Sequence, residues 1–128
     1  MNIDRTQAVS LLAAGRRDEL AFKLLQESGQ APLEIMGFHA QQSCEKFIKA
    51  VLVSHGIVFG RTHDLVALFA LCVAHEIQIP IDKNTLRILN QFAVRFRYET
   101  CFVEMIDLSD TAIIVEKLKS WAEQKIKQ

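Results

Sequence analysis

The sequence predicts an all-α protein, an up-and-down antiparallel bundle of about five helices. Apolar residues recur at three- and four-residue intervals through most of the chain, and no run alternates as strands do. Glycine, proline and capping residues divide the periodic segments by short links, which favours antiparallel neighbours. We expect a single domain over residues 1–128.

The first helix is predicted from about Ile3 to Ser28, with Asp4 near its cap and Gly29 at its end. Gly15 in its middle costs about 1 kcal/mol relative to alanine, so it marks either a close helix contact or a bend. The expected apolar positions of this helix are Leu11, Leu12, Leu20, Phe22, Leu24 and Leu25.

Pro32 suits the first turn of the second helix, which is predicted to end near His55. There Gly56 suits the left-handed capping conformation, and Ile57 is placed to pack back on Leu52.

Three more helices are predicted from capping residues and apolar spacing. Thr62 is the expected cap of the third, with Asp64 in its first turn, and Asp82 that of the fourth. The segment from about Glu99 to Leu108 has no clear period and is predicted to be an ordered connector. Either Ser109 or Asp110 then caps the last helix, whose inner side comprises Ile113, Ile114, Leu118, Trp121 and Ile126.

The composition fits an ordinary globular protein, since 50% of the residues are hydrophobic and 23% are charged. Fifteen basic residues balance fifteen acidic ones, so the overall charge indicates neither nucleic-acid nor membrane binding. Low repulsion and high apolar content favour a homodimer. No signal peptide or membrane-length apolar stretch is evident, so we expect a cytoplasmic protein without membrane contact.

The second helix is more polar than a bundle core requires. His39, Gln42, Lys46 and Lys49 form a strip that either lines a binding groove or divides into solvated lysines and hydrogen-bonded His39 and Gln42. Glu45 needs a partner if it is buried, and Arg97 or His63 is the expected donor.

Three segments together resemble the HEPN domain, named for higher eukaryote and prokaryote nucleotide-binding proteins. The segments are Phe38-His39-Ala40-Gln41-Gln42 with Glu45-Lys46 and Lys49-Ala50, then Thr62-His63-Asp64-Leu65, then Arg97-Tyr98. The resemblance extends over essentially the whole chain. It implies an up-and-down helical bundle with a four-helix core plus one extra helix, commonly a symmetric homodimer. Small prokaryotic members act beside a minimal nucleotidyltransferase, in some cases as a toxin–antitoxin pair.

Many proteins of that family are ribonucleases with an arginine followed, after four to six residues, by a histidine. In this sequence no arginine has a histidine at that separation. All four histidines precede the last three arginines, Arg87, Arg95 and Arg97. From Arg61, His63 is too close and His75 too distant, and the arginines before Arg61 also lack a histidine at that distance. The sequence therefore favours a protein that is not an enzyme. A divergent ribonuclease, using Arg97 with His39 or His63, remains the alternative.

The candidate ligand-binding residues each have a structural interpretation as well. Arg95, Arg97 and Tyr98 either clamp a phosphate beside a stacking ring or pair with Glu99 and Glu104 at a helix end. The His63-Asp64 pair either faces a nucleotide or a metal, or is explained by Asp64 as a helix cap, which is the interpretation we favour for Asp64. Cys72 and His75 share a helix face but have no third metal ligand, and Cys44 and Cys101 are predicted in the core or an interface.

The sequence thus predicts a non-catalytic module that binds nucleotide or RNA phosphate and docks a nucleotidyltransferase partner. A purely structural dimerising bundle is a further alternative. We expect no cofactor and no metal. The predicted ligand-binding residues are His39, Gln42, Lys46, Lys49, His63, Arg95, Arg97 and Tyr98, with Glu45 and Asp64 as structural polar groups.

Overall fold

The computed structural model describes the backbone of residues 3–98 and 107–127, and the side chains of residues 5–93 and 107–127. This part of the chain forms five α-helices and no strand, which confirms the all-α prediction. The helices are α1 (Ile3–Ser28), α2 (Leu33–Ser54), α3 (Leu65–Ala74), α4 (Lys83–Tyr98) and α5 (Leu108–Ile126). None of the described helices is long and apolar enough to cross a lipid bilayer.

Helix α2 is the centre of the bundle and contacts all four other helices. Two of its stripes are buried because neighbours cover it on several sides. The first is small and apolar, from Gly37 through Ala40, Cys44 and Phe47 to Val51. The second is mixed and includes Gln41, Glu45, Ile48 and Leu52. Polar groups therefore enter the core on this helix, and each of them needs a partner there.

Two glycines let helices approach α2 closely. A Cβ atom built on Gly15 of α1 would lie 2.6 Å from the ring of Phe47, and Ser43 donates a hydrogen bond of 2.8 Å to the Gly15 carbonyl. Of the two roles predicted for Gly15, the close contact is the one observed. A Cβ atom on Gly37 would similarly lie 2.5 Å from the ring of Phe92 on α4.

The predicted helix C-termini agree with the structure. Gly29 and Gly56 both have positive φ, +69° and +71°. After α2, Gly56 N–H donates to the Val53 carbonyl and Ile57 N–H to that of Leu52, which is the Schellman arrangement. Pro32 is the N-cap residue of α2 and so lies one position before the helix.

Two N-cap predictions were wrong by two or more residues. Asp64, not Thr62, caps α3, and Asp107, not Ser109 or Asp110, caps α5. In both helices the carboxylate accepts the N–H groups two and three residues further on, which is the reach a cap requires. Asp82 accepts from Thr85 N–H at the start of α4, as predicted.

Three predicted apolar contacts were also wrong, since Leu20, Leu24 and Ile113 are exposed. Helices α1 and α5 lie at the edge of the bundle, so each buries one face only. Small or polar residues share those inner faces, namely Ala8, Gly15 and Glu19 in α1 and Thr111 and Ala122 in α5. The predicted connector residues 99–106 and the side chain of Asp4 lie outside the described residues.

Candidate functional site

The polar strip of α2 belongs to one continuous hydrogen-bonded network that extends from α1 to the loop before α3. Five predicted ligand-binding residues are in it: His39, Gln42, Lys46, Lys49 and His63. The structure therefore brings the strip and the Thr62-His63-Asp64 segment together, although they are about twenty residues apart in sequence.

At one end of the network, Asp18 of α1 holds two of these side chains. His39 Nδ1 lies 3.2 Å from Asp18 Oδ1, and the Lys46 ammonium donates to Oδ2. Sequence reasoning missed Asp18. The signal was Gly15, because a close contact there places the next turn of α1, with Asp18, against α2.

Two glutamines connect the ends of the network. The Gln42 amide donates to Gln41 Oε1 at 2.8 Å and to Glu45 Oε1 at 3.4 Å, while Lys46 reaches Gln42 Oε1 at 3.5 Å. Gln41 is fully buried and donates to the backbone carbonyl of His63 at 2.8 Å. Gln41 thus fixes the loop that carries His63 against α2.

Glu45 is a buried carboxylate at the other end. Lys49 donates to its Oε2 at 2.9 Å, and His63 Nδ1 lies 3.1 Å from its Oε1. This contact confirms His63 as a partner of Glu45. The contact is a hydrogen bond in the tautomer that places the proton on Nδ1, because a carboxylate oxygen accepts hydrogen bonds. The side chain of His63 is 71% exposed, which leaves Nε2 available to solvent.

Of the two interpretations of the strip, the one with solvated lysines does not describe Lys49 and only partly describes Lys46. Lys49 is only 13% exposed, and its ammonium lies 5.6 Å from the centre of the Phe59 ring. Lys46 is half-buried against Asp18. Asp18 and Glu45 compensate both ammonium groups, so these lysines add little net positive charge to this face.

Asp64 has a structural role at the edge of this site. Its carboxylate accepts from Val66 N–H and Ala67 N–H and from the amide of Asn90 on α4. Asn90 also accepts from Leu65 N–H at 2.8 Å. These contacts are those the capping interpretation predicts, and they anchor the residue that follows His63.

The remaining predicted residues are not brought into the network by any described contact. Arg95, Arg97 and Tyr98 occupy the last turns of α4, but their side chains, like Cys101, lie outside the described residues. Their predicted contact with a ligand stays a prediction.

The described cysteines, Cys44 and Cys72, are buried. Burial raises the pKa of Cys44 to about 12 and that of Cys72 to about 11, so both are thiols at neutral pH. His75 is the exposed C-cap residue of α3. No group of three or more metal-ligating side chains occurs among the described residues.

Comparison with known proteins identifies the family of this chain. The family model for the HEPN domain matches residues 8–125, nearly the whole chain. Among curated proteins and solved structures, none matches the chain significantly.

Proposed function

Since this chain belongs to the HEPN domain family, which indicates a nucleotide- or RNA-related function, we propose that it binds nucleotide or RNA phosphate at the polar face of α2. The observation that carries this proposal is the imidazole of His63. Buried Glu45 fixes its orientation by holding Nδ1, and its other nitrogen is open to solvent. A donor or acceptor held in this way binds without first losing side-chain freedom.

Two further side chains support the same face. The Lys46 ammonium has three donors, of which Asp18 and Gln42 take two, so one remains for a phosphate oxygen. His39 is oriented by the same carboxylate. From α4, we propose that Arg95 or Arg97 offers its guanidinium fork to phosphate and that Tyr98 stacks on a base.

A thermal-shift screen tests this proposal. A ligand that binds only the folded state raises the melting temperature, so we expect ATP, UTP or a short single-stranded RNA to raise that of the wild type. His63→Ala should abolish the shift, while His75→Ala should keep it, because His75 is an exposed histidine outside the network. Absence of a shift with every ligand, or an equal shift in His63→Ala, would overturn the proposal.

We also propose that the chain is a homodimer and docks a minimal nucleotidyltransferase, in a toxin–antitoxin-like pair. The family resemblance and the zero formal net charge support this proposal. Co-expression with the product of the adjacent gene should give a co-purifying complex. A monomer that retains no neighbouring gene product would contradict both parts.

One observation favours a divergent ribonuclease as the second candidate. A carboxylate that fixes the tautomer of an exposed histidine gives that histidine the geometry of a general base. Here Glu45 orients His63, and Arg97 is the proposed phosphate-binding cation. RNA cleavage that is lost in both His63→Ala and Arg97→Ala, but kept in His75→Ala, would establish this activity. Intact RNA after incubation with wild-type protein would exclude it.

A further inference from the structure

A surface groove runs along α5, away from the polar network. It consists of two adjoining cavities of about 860 and 680 Å³, which share Pro80, Trp121 and Gln124. The lining residues on α5 extend from Ala112 to Lys125. At a rise of 1.5 Å per residue, that length is about 20 Å, or between three and four helical turns.

Each cavity contains an exposed apolar side chain next to a rigid aromatic ring. Val73 in the first is 57% exposed and Ile113 in the second is 53% exposed. The floor between them is Trp121, nearly buried and fixed because its Nε1–H donates to the Gln78 carbonyl at 2.8 Å. Exposed aliphatic anchors around a rigid aromatic ring are typical of a protein-docking surface.

The unpaired charge of the groove is mainly positive. Lys117 and Lys125 line it, and neither forms an ion pair with any described residue. Their positions are eight residues apart, about 12 Å along α5. Of the two acidic lining residues, Glu116 pairs with Lys119 at 3.4 Å, which leaves Glu76 without an ion pair in the described part of the chain.

We propose that this groove binds an acidic amphipathic helix of a partner protein. An apolar face of such a helix would cover Ile113, Trp121 and Val73, and acidic residues on its flank would meet Lys117 and Lys125. A second copy of this chain fits less well, because a two-fold interface would place the same mainly positive surface against itself. The inference does not rest on phosphate binding, since no residue of the α2 network lines the groove.

The single tryptophan gives a direct measurement. Because Trp121 is the only tryptophan of the chain, its fluorescence reports on the groove. The probe is a synthetic helical 16-mer with leucines at three- and four-residue spacing and glutamates on one flank. A second peptide has lysines in place of the glutamates. We expect saturable fluorescence change with the acidic peptide and binding at least about tenfold weaker with the basic one, about 1.4 kcal/mol.

Variants then test the location. Lys117→Glu with Lys125→Glu should reverse the preference between the two peptides, and Ile113→Glu should abolish binding. Lys83→Glu, an exposed lysine on α4, serves as the control and should bind like the wild type. All these variants change exposed side chains, so we expect their melting temperatures to equal that of the wild type. This measurement checks that each variant is folded.

Three outcomes would overturn the proposal. They are no fluorescence response to the acidic peptide, equal binding of the two peptides, and a dimer in solution that dissociates in Ile113→Glu, which would identify the occupant as a second copy. Nucleotide binding is measured on separate variants, so failure here leaves the phosphate proposal unaffected.

Discussion

At the scale of single residues, Glu45 has the largest share in holding the site together. Glu45→Ala removes the acceptor of Lys49, Gln42 and His63 and leaves the nearly buried Lys49 ammonium unpaired. Breaking a buried ion pair in this way costs about 3 kcal/mol or more. Urea denaturation should show a loss of that size.

Glu116→Ala is the matched control, because that glutamate on α5 is half-exposed and pairs with Lys119 at the surface. Surface pairs contribute at most about 1 kcal/mol. Similar unfolding free energies for the two variants would show that the contacts of Glu45 add no net stability.

Gly15 illustrates a residue whose missing side chain matters more than its flexibility. Alanine favours a helix by about 1 kcal/mol over glycine, but a Cβ at this position would lie 2.6 Å from the Phe47 ring. Phe47 is fully buried, so overpacking should cost about 1–3 kcal/mol and outweigh the gain. We expect Gly15→Ala to lower the melting temperature.

Gly60→Ala is the control for that variant, since a Cβ on Gly60 meets no atom within 4 Å. It should be neutral or slightly stabilising, because alanine restricts the unfolded chain. A melting temperature of Gly15→Ala at or above the wild-type value would show that α1 and α2 move apart without cost.

At the scale of the helices, the end of α3 is locally strained. Glu76 has a φ of +58°, in the position that glycine occupies after α1 and α2. The hydrogen bonds of the Schellman arrangement still form, from Glu76 N–H to Val73 and from Ile77 N–H to Cys72. A left-handed residue with a Cβ costs roughly 1 kcal/mol.

Glu76→Gly should therefore raise the free energy of unfolding by about 1 kcal/mol, measured by thermal or urea denaturation. The reciprocal variant Gly56→Ala, at φ +71°, should lower it by a similar amount. Destabilisation by Glu76→Gly would mean that the glutamate side chain contributes more than its backbone strain costs.

Helix positions were predictable because they depend on local chemistry. Gly29 and Gly56 end helices where only a left-handed residue fits, and the sequence shows these glycines directly. Caps were less predictable where several candidates adjoin. Thr62 and Asp64 are both good caps. Asp64 is the one that caps α3, and it also accepts a hydrogen bond from Asn90, which lies far along the chain.

The candidate site was predictable only in part. The excess of polar residues on α2 identified His39, Gln42 and Lys46 as candidate site residues. Asp18, the partner of His39 and Lys46, is on another helix, and apolar spacing alone does not show which faces of two helices meet, although Gly15 marked a close contact there. The exposed Ile113 was mispredicted for the same reason, since apolar spacing does not show how far a neighbouring helix extends.

At the scale of the whole molecule, α5 ties the end of the chain to its beginning. Its inner side packs on α1 and α2, and Lys119 donates to Glu19 of α1 at 3.0 Å, across 100 residues of sequence. Arg5 likewise donates to the Ile126 carbonyl. Contacts between such distant residues form only when the complete bundle does, so we expect α5 to unfold together with α1.

Leu118 tests how much the bundle depends on this packing. Its side chain is fully buried, so Leu118→Ala should destabilise the protein by about 2–5 kcal/mol. Ile113→Ala on the same helix removes an exposed side chain and should change stability by no more than about 0.5 kcal/mol. If the two variants lost the same unfolding free energy in urea denaturation, Leu118 would not be the buried residue, and Ile113 the exposed one, that the structure shows.

The Lys119–Glu19 pair adds a pH dependence with a definite sign. Burial lowers the pKa of Lys119, but its hydrogen bond to Glu19 and the attraction of Glu19 and Glu116 outweigh burial and raise it above 10.5. A folded-state pKa above the unfolded one stabilises the fold fully below pH 10.5, and this stabilisation is lost as the pH rises through the folded-state pKa.

Lys119→Met should thus lower the unfolding free energy at pH 8 by about 2 kcal/mol, as for a charged hydrogen bond. This difference in unfolding free energy from the wild type should be smaller at pH 11. Lys117→Met is the control, because it removes a lysine that has no ion pair with any described residue, and its unfolding free energy should equal that of the wild type at both pH values. A constant gap between wild type and Lys119→Met from pH 8 to pH 11 would assign the effect of Lys119 to packing of its stem instead of its charge.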